Sequence, residues 1–181
     1  AVDGYVAGIL AGTIPACKWV KLACQRHLDD LEKSRTEEFR WKFDHESAET
    51  ACQLIELFPH TKDDFENRAA RQENLKLEPA QLFIVCSLFG WVDKASKLKT
   101  YRFREAYVEI PRKNAKSTLA AGIGLVKFAA DGEHGAEVYS GATTEKQAWE
   151  VFRPAKLMAS RTAGFLEAFG VATDEVNRHA E

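Results

Sequence analysis

The sequence lacks a long apolar run: no stretch approaches the roughly 18 residues that a membrane-spanning helix needs. It begins Ala1–Val2–Asp3–Gly4, without the basic segment that opens a secretory signal. Internal repeats and low-complexity segments are also missing. We therefore expect a globular protein with no membrane partner, in which the 181 residues form one domain or a small pair.

The sequence also lacks the residue spacings that hold zinc. None of the 4 cysteines forms a Cys-x-x-Cys pair, and none of the 5 histidines forms a His-x-x-x-His pair. Cys17, Cys24 and Cys52 fall on the apolar stripes of predicted helices, where buried free thiols are expected. His27 lies on such a stripe too and is predicted to be a core or boundary residue rather than a metal ligand. These residues predict neither a metal site nor a disulfide.

The charge of the chain is unevenly distributed. Its formal net charge is −2, but the stretch from Lys94 to Lys116 holds eight basic and two acidic residues, a local charge of +6. A run of charge usually marks a solvated face. Because this run leads into a candidate phosphate loop, we interpret it as a phosphate-binding cluster.

The first half of the sequence predicts helices. One of about 20 residues follows Thr13–Ile14–Pro15, a second runs from about residue 44 to Phe58, and a third begins at Pro79 and ends at Gly90. The third is apolar on all sides, so a buried strand remains an alternative. Residues 1–75 are therefore predicted to form a helical amino-terminal region.

In the second half of the sequence, the helical spacing of apolar residues gives way to short segments typical of strands. Residues 101–103, 106–110 and 136–139 are rich in β-branched and aromatic residues and predict strands. They alternate with predicted helices at 116–130 and 144–158, and Thr144 with Gln147 fits a capping box. This order predicts an α/β fold with right-handed crossovers and a parallel sheet of the P-loop NTPase type.

One junction between a strand and a helix carries chemistry. The segment from Glu109 to Gly122 ends a strand, turns through a polar loop and enters a helix at Lys116–Ser117–Thr118. Such a loop grips phosphate with backbone N–H groups, the helix dipole and one lysine. The pattern G-x-x-x-x-G-K-[ST] would place glycines where the chain has Ile110 and Ala115. The residues alone leave both a nucleotide site and a basic turn open.

Four motifs in order resemble the large terminase subunit of tailed bacteriophages. They are Leu-x-Pro-x-Gln at 77–81, Phe-Gly-Trp at 89–91, Tyr-x-Glu-x-Pro-Arg-Lys-Asn-x-Lys-Ser at 107–117 and Ser-Gly-Ala-Thr-Thr-x-x-Gln-Ala at 140–148. The resemblance runs from about Tyr5 to Met158. It implies the ATPase portion of a motor that packages viral DNA into procapsids, with residues 76–181 as a partial P-loop ATPase domain.

The resemblance also implies a set of nucleotide-binding residues. Lys116 would hold the β- and γ-phosphates of ATP, Ser117 would ligate Mg²⁺, and Arg112 would neutralise charge near the γ-phosphate as a catalytic residue with Lys116. Gln81 would read adenine with its carboxamide, unless it is only a polar residue of a first helical turn. The full set is Gln81, Pro111, Arg112, Lys113, Asn114, Ala115, Lys116, Ser117 and Thr118.

The implied partners follow from the same resemblance. They are double-stranded phage DNA, the small terminase subunit, the portal of the procapsid and further copies of the chain in a ring, all in the cytoplasm of a bacterial host. Thr143 and Gln147 would couple the state of the nucleotide to DNA contact, although Gln147 equally fits a helix cap.

The acidic pair that an ATPase needs after a later strand is not evident in the sequence. Asp174 and Glu175 follow no hydrophobic strand, and the carboxylates of a nuclease have no room. We therefore expect an amino-terminal part of a terminase, from a shortened chain or a broken prophage gene, that binds ATP weakly. The alternatives are a helicase-like P-loop ATPase and a non-catalytic module that docks partners and DNA.

Overall fold

The computed structural model describes residues 1–61, 73–96, 99–133 and 135–172. They form two compact units. The first consists of Ala1–Gln53 and Lys76–Glu109, and the second of Leu54–Leu75 and Ile110–Glu181. No helix among the described residues has the length and hydropathy that crossing a bilayer requires.

Four helices build the first unit. They are α1 (Val2–Ala11), α2 (Lys18–Lys33), the first part of α3 (His45–Leu57) and α4 (Pro79–Gly90). Helix α1 ends because Gly12 takes a φ of 78°, which a glycine adopts without strain. Helix α4 begins with Pro79 at its first position, as the sequence predicts. Val6, Ile9, Cys24 and Phe83 form a buried cluster between α1, α2 and α4.

Two short strands complete the first unit. Strands β1 (Trp41–Phe43) and β2 (Trp91–Asp93) pair antiparallel, with Phe43 opposite Trp91. Tyr101 makes an isolated antiparallel bridge to Val92. The ring of His27 lies edge-on to the rings of Phe43, Phe83 and Trp91, so the strands face a buried aromatic cluster.

The second unit is helical. Helix α5 (Lys116–Leu125) continues into the π-helical turn Val126–Ala130, and α6 (Glu145–Arg161) packs against α5. The short helix α7 (Phe165–Ala168) brings the Phe165 ring to 5.3 Å from that of Phe58. Thr144 caps α6 by accepting a hydrogen bond from the Gln147 N–H, which confirms the predicted start of this helix.

The predicted parallel sheet is not seen in the described part of the chain. Residues 106–110 and 136–139 have no strand partner there, and the sheet that is present is the antiparallel pair of β1 and β2. A β-ladder needs a second backbone about 4.8 Å away, and composition cannot supply one. Tyr107 and Tyr139 are accordingly 90% and 84% exposed. The mixed α/β class stands, and the parallel P-loop sheet does not follow from this structure.

Candidate nucleotide-binding site

The loop from Pro111 to Ala115 has an unusual backbone. Lys113 and Ala115 take φ angles of 68° and 54°, in the left-handed region that favours glycine. Left-handed residues in a turn direct successive N–H groups to one side, the arrangement that binds anions. Ala115 occupies the position where the phosphate-loop pattern places its second glycine. The loop therefore has a glycine-like backbone shape without that glycine.

Helix α5 begins where this loop ends. Its first intrahelical hydrogen bond runs from the Leu119 N–H to the Ala115 carbonyl, at 2.8 Å. The N–H groups of Lys116, Ser117 and Thr118 precede that bond and have no carbonyl within the helix to donate to. Ser117 and Thr118 are half-buried in this first turn. The start of α5 thus offers three donors and the positive end of the helix dipole.

Lys116 is folded over the loop that precedes it. Its ammonium group donates a hydrogen bond to the Ile110 carbonyl, and the residue is exposed. A phosphate oxygen carries charge and is a stronger acceptor than a neutral carbonyl, so it can replace this partner. Ile110 stands where the phosphate-loop pattern has its first glycine. It takes part in this contact through its backbone carbonyl and not through its side chain.

Asn114 braces the loop, a role that the sequence analysis missed. Its Nδ2 group donates to the carbonyls of Pro111, at 3.3 Å, and Arg112, at 3.2 Å. An asparagine within a turn that opens on proline is the signal that could have shown this. Residues 110–118 hold three cations and no acid. Arg112 and Lys113 are both exposed, so the loop presents positive charge to water.

Several basic residues that precede the loop in sequence make stabilising contacts within the first unit, which the sequence does not predict. Lys94 donates to the Thr36 carbonyl at 2.6 Å, and the Lys99 ammonium lies 5.6 Å from the centre of the Tyr101 ring. Arg102 forms an ion pair with buried Asp30. These three cations make contacts within their own unit. The local charge of +6 therefore overstates how many basic side chains are left to bind phosphate.

Gln81 lies in the first unit, in the first turn of α4. Its Oε1 accepts a hydrogen bond from the Glu78 N–H at 3.0 Å, and the Glu78 side chain accepts one from the Gln81 N–H, which completes a capping box. This agrees with the alternative of a first-turn polar residue. The carboxamide keeps its NH₂ group and a second lone pair on the oxygen, the pair of groups that adenine recognition would require.

Thr143 and Gln147 lie together at the start of α6, in the second unit. The Thr143 hydroxyl donates to Gln147 Oε1 at 2.5 Å, and the Gln147 N–H is held by Thr144. Both residues are exposed. Nearby, the Ser140 hydroxyl donates to the Ala148 carbonyl at 2.9 Å. The local hydrogen bonds fix the entry into α6, and they leave these side chains at the surface.

A metal ion at the loop would depend on Ser117 and the phosphates of the nucleotide. Within the described ranges, no three His, Cys, Asp or Glu side chains converge as a protein-held metal site would need. A hydroxyl beside the phosphate-gripping lysine suits Mg²⁺, which keeps several waters and binds mainly through phosphate oxygens. Asp174 and Glu175 lie outside the described residues.

A separate groove opens between α5 and α6. It encloses about 630 Å³ and is mostly apolar; Gly124, Phe128, Val138, Phe152 and Ala159 are among the residues that line it. None of the residues 111–118 contributes to its lining. This groove is therefore distinct from the phosphate loop.

Comparison with known proteins identifies one family. Residues 79–168 match the family described as terminase large subunit, ATPase domain. The matched range begins at the first residue of α4, contains the whole 111–118 loop, and ends with α7. No curated protein and no solved structure matches the chain. The resemblance that the four sequence motifs indicate is thereby confirmed.

Proposed function

We propose that this chain, which belongs through residues 79–168 to the family of terminase large subunit ATPase domains, binds Mg²⁺–ATP at its 111–118 loop in a phage DNA-packaging motor. An ATPase domain implies a bound nucleotide. The 111–118 loop lies within the matched range and has the backbone arrangement that suits a phosphate. The observation that carries the proposal is the left-handed backbone of Lys113 and Ala115 directly before the open amino terminus of α5.

Each side chain of the loop has a distinct task in this proposal. Lys116 leaves the Ile110 carbonyl and holds the β- and γ-phosphates, and Ser117 ligates the Mg²⁺ ion. Arg112 neutralises the charge that develops at the γ-phosphate, while Thr118 supports the first turn of α5. Bound Mg²⁺ would screen the phosphate charges and orient the transferred group. Asn114 acts before any ligand binds, because it holds the carbonyls that shape the turn.

Recognition of the base would fall to Gln81. A carboxamide can donate to adenine N7 and accept from adenine N6 simultaneously, which a carboxylate or an ammonium cannot do. Its capping bond to Glu78 fixes the Oε1 atom and so limits the rotamers of the side chain. We propose this role together with an ATPase domain that begins near residue 76, after a helical amino-terminal region.

The partners of such a motor are double-stranded phage DNA, a small terminase subunit, the portal of a procapsid and other copies of the chain in a ring. Motors of this kind work in the cytoplasm of the bacterial host. Thr143 and Gln147 are our candidates for coupling nucleotide to DNA, because they are exposed and bonded to each other at the start of α6.

The test is a titration of a fluorescent ATP analogue with Mg²⁺ into the wild-type chain and into Lys116→Ala. A charge-assisted hydrogen bond contributes about 1.5–3 kcal/mol, so its loss should weaken binding by roughly 10- to 150-fold. Lys146→Ala is the matched control, because Lys146 is an exposed lysine in the first turn of a different helix, α6. We expect this control to bind like the wild type.

Two outcomes would contradict the proposal. The first is a wild-type chain with native circular dichroism that binds no nucleotide, and the second is equal affinity in Lys116→Ala. If DNA binding then proved independent of nucleotide and fell steeply with salt, the alternative of a docking module would be supported.

A further inference from the structure

Two cysteines that are far apart in sequence meet in the first unit. Cys52 of α3 and Cys86 of α4 are 34 positions apart, and their Sγ atoms lie 3.6 Å from each other in a thiol hydrogen bond. A disulfide bond is about 2.05 Å long, so the two sulfurs would need to approach by about 1.5 Å. Side-chain rotation supplies most of such a movement when the helices are already adjacent.

Packing between the two helices holds them adjacent at this level. Gly90 at the end of α4 is so close to α3 that an added Cβ would lie 3.1 Å from the Ala48 Cβ. Cys52 is one helical turn after Ala48, and Cys86 is one turn before Gly90. Ala48 with Gly90 and Cys52 with Cys86 therefore lie one helical turn apart along one antiparallel contact between α3 and α4. Because Ala48 and Gly90 are small, the helices come close enough there for the two sulfurs to meet.

The two thiols differ in exposure. Cys52 is buried, whereas Cys86 is half-buried and so is the more accessible sulfur. The hydrogen bond from Cys52 lowers the pKa of Cys86 below its usual value, and this outweighs the opposing effect of burial. Cys86 is thus the accessible thiol and has a lowered pKa, so we assign the first attack to Cys86. Cys52 lies in contact with it and can form the disulfide in the second step.

We propose that Cys52 and Cys86 form an oxidisable dithiol that closes to an intramolecular disulfide in the presence of a peroxide. The Cys86 thiolate attacks one peroxide oxygen, so that an S–O bond forms, the O–O bond breaks and hydroxide leaves. The Cys52 sulfur then attacks Cys86 Sγ, so that the S–S bond forms, the S–O bond breaks and water leaves. Overall, two thiols lose two electrons and the peroxide is reduced to two waters.

The experiment treats the purified full chain with hydrogen peroxide and then measures its intact mass, its free thiols in denaturant and its non-reduced peptide map. The expected result is a loss of two hydrogens, a fall from 4 free thiols to two, and a cross-linked peptide pair that contains Cys52 and Cys86. A thiol reductant should reverse all three changes. The midpoint of thermal unfolding should rise on oxidation and return on reduction.

Two variants separate this pair from the other cysteines. Cys17→Ser removes an exposed cysteine and should leave the disulfide unchanged, while Cys52→Ser should abolish it. Four thiols remaining after oxidation, a cross-link that maps to Cys17 or Cys24, or a disulfide that still forms in Cys52→Ser would each overturn the proposal. The peptide map of the wild-type chain decides the question even if a variant fails to fold.

Discussion

The buried ion pair between Asp30 and Arg102 offers the sharpest test of how the first unit is held together. Arg102 Nη1 lies 2.6 Å from Asp30 Oδ2, and the side chains are 18% and 4% exposed. No hydrogen bond joins these two atoms, so the contact is mainly coulombic. The guanidinium also lies 5.1–5.5 Å from the centres of the rings of Phe39, Trp91 and Phe103.

Arg102→Ala would leave the Asp30 carboxylate buried without its counter-charge. Removal of one partner of a buried pair costs about 3–5 kcal/mol, and a partly desolvated cation–π contact adds roughly 1 kcal/mol. Arg104→Ala is the matched control, since Arg104 is exposed and lies two residues away; it should change the free energy of unfolding by less than about 0.5 kcal/mol. Replacing both partners, as Asp30→Leu with Arg102→Met, should recover most of the loss.

Urea unfolding followed by circular dichroism measures these differences as shifts of the midpoint at constant slope. The reasoning would be refuted if Arg102→Ala lost less than about 1 kcal/mol, because a carboxylate left without its partner at this depth cannot be so well tolerated. Failure of the double apolar variant to recover stability would show that the aromatic contacts, and not the charge pair, dominate.

Two further predictions concern α5 and the aromatic cluster. Gly124→Ala should stabilise the protein by about 0.5–1 kcal/mol in urea unfolding, because the new Cβ meets its nearest neighbour at an ordinary 3.6 Å. Gly122→Ala gains the same helix propensity but places its Cβ 3.0 Å from Ile55, so it should destabilise; equal effects of the two variants would refute this. Burial lowers the pKa of His27 below its usual 6.5. The unfolded chain therefore binds this proton more readily, and stability should fall as pH drops below about 6.5. His27→Phe should remove that part of the dependence, and an unchanged pH profile would contradict it.

The sequence predicts helices well where local signals bound them. Pro79 and Gly90 delimit α4, and Thr144 caps α6, because the determinants lie within one turn of the helix ends. Helix α2 begins at Lys18, three residues after the predicted Pro15 signal. Helix α1 is missed because it has no polar cap before it. Cys17 is exposed, against the expectation of a buried thiol, because it precedes α2 as its N-cap.

Pairing between strands is the part that the sequence does not predict. Strands β1 and β2 have three residues each, which is too few to show a periodic pattern. Phe43 pairs with Trp91, which lies 48 positions later in the chain. Residues 106–110 show the reverse case, a predicted strand that the structure does not form. Their composition predicts a strand, but a strand exists only where another backbone accepts its hydrogen bonds. The approach of Cys52 to Cys86 is likewise a product of helix packing that no local spacing reveals.

The loop before α5 shows why a missing glycine is weak evidence against a phosphate site. A glycine is favoured at position 115 because the backbone must turn left-handed, and alanine can adopt that conformation at a cost of about 1–2 kcal/mol. The two hydrogen bonds from Asn114 hold the turn and help to offset that strain. At position 110 the contact with Lys116 is made by the backbone carbonyl, which any residue supplies, so a glycine is not needed for it. The proposed site therefore depends on a lysine at the start of α5 and on a turn before it that hydrogen bonds hold in place, and it does not depend on glycine at either position.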